Sequence, residues 1–166
     1  MRIVKKYTEI YCVRHIIIYF LIYCMCFVAP SSLVMAEPQG AQVVNGQVTF
    51  QQSGHNTTIT ASDQAIINYS SFNIAKPEAV RFIQPSSNSS VLNRIISANP
   101  TRIDGTLSAN GRVFFINPAG VIIGSSAKIN VNQLVASGLN MSNSSFLSGQ
   151  YEFAGGNGAV INNGDI

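Results

Sequence analysis

Cysteine is missing from most of this chain. Cys12, Cys24 and Cys26 all lie near the N-terminus, and none follows. The remainder therefore has no disulfide framework and no thiolate metal site. Charge is scarce as well. Charged residues make up 10% of the sequence, against roughly 25% in an average soluble protein. The formal net charge of +3 comes from the leader, where Arg2, Lys5, Lys6 and Arg14 face only Glu9. From Glu37 onward, Lys76, Arg81, Arg94, Arg102, Arg112 and Lys128 are matched one for one by Glu37, Asp63, Glu78, Asp104, Glu152 and Asp165. A neutral body offers no basic face to phosphate, so nucleic acid is not an expected partner. The same acids never fall close together in sequence, and His55 is the only histidine past the leader. That pattern gives no paired carboxylates for acid–base work and no transition-metal set, and no cofactor is expected. No glycine-rich phosphate loop opens a helix, and no helical stripe of useful length follows the leader.

What is present divides the chain in two. Residues 1–15 carry several basic side chains, and Ile16 to Ala29 is an unbroken apolar run. Pro30-Ser31-Ser32 ends it, and Val34 and Ala36 are small residues before Glu37. This is the layout of a secretory signal peptide, with cleavage expected between Ala36 and Glu37. At ~1.5 Å per residue the run reaches about 21 Å, short of a ~30 Å hydrocarbon core. We expect residues 1–36 to be the signal and residues 37–166 to be one exported domain.

The body is organised around Ser90 to Gly124, SVLNRIISANPTRIDGTLSANGRVFFINPAGVIIG. Short runs rich in Val, Ile and Phe are each closed by a turn signal, the pattern of strands. Gly105, Asn110-Gly111, Asn117-Pro118-Ala119-Gly120 and Gly124 are read as the structural turns. Alternation sends one ring of Phe114-Phe115 outward. Many runs are too short for a sandwich, and Asn, Ser, Thr and Gly dominate the spacing. An all-β fold follows, with sandwich, barrel and solenoid all open; the short runs favour stacked coils. A solenoid's first coil needs a cover for its free edge. Residues 37–54 are the candidate cap, read as a strand pair turned at Asn45-Gly46. The last stretch, VINNGDI, looks like a coil cut off in mid-repeat, so we expect a fragment of a longer protein or a truncated open reading frame.

Several stretches resemble the N-terminal secretion domain of the filamentous haemagglutinin family, the large exoproteins of two-partner secretion. They are GHNTTIT at 54–60, AIINYSSFNI at 65–74, SSVLNRI at 89–95 and, most specific, IDGTLSANGRVFFINPAGVIIG at 103–124. Members often read Asn-Pro-Asn-Gly where this chain has Asn117-Pro118-Ala119-Gly120. The resemblance implies a right-handed parallel β-helix with an N-terminal cap and extra-helical strands. It implies export through the periplasm to the cell surface by a dedicated outer-membrane β-barrel transporter, and seeding of β-helix folding there. Recognition by strand addition would use exposed edges and turns, and Asn93, Arg94, Asn117, Pro118 and Gly120 are the candidate residues. Two other readings are kept. One is a β-helical polysaccharide lyase or hydrolase. The other is an adhesin whose exposed face binds host-surface glycan or protein, an activity that in this family lies mostly downstream of the domain.

Overall fold

The computed structural model describes residues 38–166. The expected signal segment and its Ala36–Glu37 cleavage point lie outside the described residues. Strands β1 (Gln42–Asn45) and β2 (Val48–Ser53) are followed by β3 (Asn56–Ala61), β4 (Ala65–Tyr69), β5 (Ala79–Ile83), β6 (Ser90–Ile95) and β7 (Thr101–Ile103). Then come β8 (Thr106–Ile116), β9 (Val121–Ile123), β10 (Lys128–Ser137), β11 (Asn140–Met141), helix α1 (Asn143–Leu147), β12 (Phe153–Ala154) and β13 (Val160–Asn162).

From β3 onward the chain winds as a parallel β-solenoid of about four turns. One side stacks β3, β5 and the first part of β8 and of β10. The next side stacks β4, β6 and the second part of β8 and of β10. A third, narrower side stacks β7, β9 and β13. Every rung-to-rung ladder is parallel, so each coil's main-chain groups are used by its neighbours.

The inward column Ile59, Phe82, Ala109 and Val131 is in register, coil upon coil. So is Ile67, Asn93, Phe115 and Ala136 on the adjacent side. Of these, Ile59, Ile67, Phe82 and Phe115 join Val80, Val91, Leu107, Val113 and Ile123 in one continuous apolar core, with Ala109 and Val131 packed against it. Edge-to-face rings bind the coils together: Phe72 meets Tyr69 at 5.0 Å and Phe115 at 4.8 Å between centroids. Such pairs add about 0.5–1.5 kcal/mol each beyond area burial.

Three expectations need correction. Asn45-Gly46 does not make a hairpin. β1 pairs antiparallel with β4, and β2 pairs antiparallel with β3. Gly46, at φ +82°, turns the chain from one side of the solenoid to the next, and Asn45 Nδ2 donates to Gln64 O at 2.8 Å. The two strands still cover the first coil, as a reversed rung. Asn110-Gly111 is not a turn either, because both residues lie inside β8. There the strand passes from partner β5 to partner β6. Asn110 Oδ1 accepts from Gln84 N at 2.8 Å and its Nδ2 donates to Gln84 O at 2.7 Å. A side chain at Gly111 would meet the Gln84 carboxamide within 2.7 Å, so the dipeptide is a packed corner. Finally, the outward ring of Phe114 is buried, 1% exposed.

Tyr69 is buried in the core with no partner for its hydroxyl, and burial pushes its pKa up. An unpaired buried hydroxyl costs about 1–3 kcal/mol. Tyr69→Phe is expected to raise the urea midpoint by about 1 kcal/mol equivalent with an unchanged slope; a lower midpoint in equilibrium unfolding would contradict the unpaired hydroxyl.

Candidate functional site

The Asn117-Pro118-Ala119-Gly120 segment forms the corner between β8 and β9. Gly120 N donates to Asn117 O at 2.8 Å, closing a β-turn with Pro118 in its second position. Asn117 is fully buried, 0% exposed. Its Nδ2 donates to Asn99 O and to Thr101 Oγ1, both at 3.1 Å, and its Oδ1 accepts from Ala119 N at 2.9 Å. The side chain thus fastens this corner to the one a coil earlier. Gly120 has φ +117°, a region open only to glycine without strain, and a Cβ there would lie 2.8 Å from Ala159 O. Ala119 has no side-chain amide to offer, but its N–H is already held by Asn117. The sequence reading missed Asn99-Pro100. The signal was available: the Asn-Pro dipeptide recurs 18 residues before Asn117-Pro118.

Asn93 and Arg94 point to opposite sides of β6. Asn93 faces the core at 0% exposure, its Nδ2 donating to Phe114 O at 3.2 Å and its Oδ1 without a protein partner. Arg94 is half-buried on the outer side. It donates from Nη1 to Asn68 Oδ1 at 3.2 Å and from Nη2 to Met141 O at 2.6 Å. Desolvation lowers its pKa, yet a guanidinium starts so high that it stays charged.

Gly105 sits at the bend between β7 and β8, where a Cβ would run into Glu78 O and Ala75 O of the preceding coil. Gly124 follows β9 and backs onto the Asp104 carboxylate. Asp104 Oδ2 accepts from Arg102 Nε at 2.5 Å. That pair is largely exposed and adds little to stability. Of the candidate residues, the fold brings Asn117, Pro118 and Gly120 together at one corner. Asn93 and Arg94 lie on a different side, and Asn93 and Asn117 present no side chain to solvent.

The TPS secretion domain family model matches residues 34–166. The chain belongs to that family. It is 38% identical over 118 residues to the heme/hemopexin-binding protein of Haemophilus influenzae, covering 70% of this chain and 13% of that protein. The corresponding protein of H. influenzae strain Rd is 41% identical over 100 residues, covering 60% of this chain and 11% of that protein. The crystal structure of the HMW1 secretion domain from H. influenzae superposes with a TM-score of 0.73 at 40% identity. It covers 76% of this chain and 35% of that one. The chain therefore spans only about an eighth of the length of the two heme/hemopexin-binding proteins and about a third of the HMW1 chain, and it is the secretion domain of a haemagglutinin-like exoprotein.

Two carboxylates of this TPS secretion domain, those of Asp63 and Glu78, serve its turns. Asp63 Oδ1 accepts from Gln64 N at 2.9 Å and Ser90 N at 2.8 Å, and Glu78 Oε2 accepts from Ala75 N at 2.8 Å. His55 is exposed in the β2–β3 turn. Among the described residues no three of His, Cys, Asp and Glu gather as a metal set. The polar geometry favours the secretion reading over a lyase or hydrolase, whose carboxylates must converge.

The corner's strain gives a direct check. Gly120→Ala is expected to destabilise the domain by about 2 kcal/mol through its φ and the Ala159 contact. Urea unfolding followed by far-UV circular dichroism would read it, and an unchanged midpoint would mean the corner relaxes freely.

Proposed function

We propose that this domain is the export handle of its exoprotein. It enters the periplasm by the signal at residues 1–36 and is bound there by an outer-membrane β-barrel transporter with periplasmic modules. It crosses the outer membrane unfolded and stacks coil by coil on emergence, seeding the β-helix of the chain beyond it. The observation that carries this reading is the one-dimensional ladder: each coil's main chain pairs only with its neighbours, in register, with no cysteine in the described residues to lock the chain in an oxidising compartment.

Recognition acts on the extended chain. Asn93 and Asn117 are buried once folded, so a transporter meets their side chains only before the coils close. Strand addition by Asn- and Ser-rich segments supplies main-chain bonds, with Asn93, Arg94, Asn117, Pro118 and Gly120 as the selective positions. Adhesion to glycan or protein at a host surface, or the heme/hemopexin binding in the relatives' name, belongs to the longer protein.

Two experiments test this. Ser108 and Asn130 are in-register neighbours on adjacent coils. A Ser108→Cys, Asn130→Cys variant is expected to lose secretion by about tenfold or more in oxidising periplasm, and to regain it with reductant. Undiminished secretion of the cross-linked form would overturn unfolded passage. The second compares Asn117→Ala with Thr101→Val, which removes a partner of the same amide but keeps the amide itself. At matched stability, periplasmic retention of the first alone supports recognition by Asn117; equal retention of both assigns it to folding.

A further inference from the structure

Between Ser137 and Ala159 the chain leaves the solenoid and returns to the point it left. Gly158 N donates to Gly138 O at 3.3 Å, and a side chain on Gly138 would collide with the Gly158 carbonyl. The path of the coil is continuous across this stem, because Asn117 N donates to Ser137 O and Val121 N to Ala159 O, both at 3.0 Å. The excursion has order of its own. β11 pairs antiparallel with β12, and α1 is capped by Ser142, whose Oγ accepts from Ser145 N at 3.0 Å. Ser145 Oγ in turn donates to Gln150 O and accepts from Glu152 N.

The excursion covers one face only. Ile66, Leu92 and Phe114 stack in register on the outer side of β4, β6 and β8. With Ile116, Met141 and Phe146 they form an apolar cluster separate from the core. The Phe146 ring meets Phe114 edge-on at 5.3 Å, and Tyr151 lies 4.8 Å from it. Two side chains of the early coils hold the excursion down. Arg94 Nη2 donates to Met141 O at 2.6 Å, and Gln64 Nε2 donates to Leu147 O at 2.8 Å. Gln64 is the one non-glycine residue at positive φ among the described residues, at 55°, a conformation that costs a side-chain residue about 1 kcal/mol. That geometry is retained where its amide reaches the end of α1.

From this we propose that the excursion, residues 138–158, is a separately closing clip. The coils of the solenoid form and persist without it. It then folds down on the outer column Ile66–Leu92–Phe114, latched by Arg94 and Gln64, and fastens the first three coils from outside. A segment distant in sequence, late to form and independently ordered thereby ties together coils whose main chains pair only with their neighbours. Nothing in this closure depends on the export reading.

Hydrogen exchange read by mass spectrometry on the purified protein tests it. In Phe146→Ala, amides of 140–154 are expected to exchange about a hundredfold faster, while β4, β6 and β8 keep their protection. Loss of protection through the solenoid strands, failure of the variant to fold, or unchanged exchange in the excursion would each overturn the proposal. Gln64→Ala keeps every apolar contact and is expected to speed the same segment by about fivefold; acceleration of the solenoid to the same extent would overturn it as well.

Discussion

Register is the constraint on which this structure depends. Each coil must set its inward residues directly above those of the coil before, so that Ile67, Asn93 and Phe115 fall in one line. A slip of one residue would turn the whole set outward. The ladder bonds cannot prevent this alone, since a parallel ladder is satisfied in more than one register. Corners decide it. Asn117 reaches back to Asn99 and Thr101 of the coil before, and Asp63 accepts from Ser90 N of the coil after. Asn110 and Gln84 exchange bonds across a third corner. Side-chain amides and carboxylates therefore work here as spacers that count coils, which explains why so few charges suffice.

The sequence made this scheme partly legible. Short apolar runs bounded by Asn, Gly and Pro gave strands, and their alternation separated Phe114 from Phe115 correctly. What it concealed was the identity of each break. Asn45-Gly46 and Asn110-Gly111 carry the same dipeptide as a hairpin turn. In the fold one rounds a corner at positive φ, and the other lies in a strand that changes partners. A two-residue signal reports that the backbone bends; only the neighbouring coil fixes where it goes. The burial of two candidate recognition residues was hidden in another way. Asn93 and Asn117 are polar and flanked by turns or strand ends, which suggests exposure, yet both are fully buried. Their amides answer main-chain groups of adjacent coils, partners that lie far away in sequence.

The outer column shows why a rule of alternation is incomplete for a solenoid. Ile66, Leu92 and Phe114 occupy outward positions that would ordinarily be polar. They are apolar because residues from the other end of the domain cover them, through Met141 and Phe146. Nothing within β4, β6 or β8 announces that cover. The hint lay in the loose Ser- and Gly-rich stretch after Ser137, whose aromatics Phe146, Tyr151 and Phe153 have no place in a coil.

Two apolar columns thus divide the work of holding the molecule. The inner one continues from coil to coil, so its contribution grows with each turn added and is indifferent to how many follow. The outer one is local, and it links coils by a segment outside the ladder. A stack of identical rungs can open from either end at the cost of one interface. A strap across the first three rungs adds an apolar contact from outside the ladder, and under the proposal above it lifts without opening the rungs beneath.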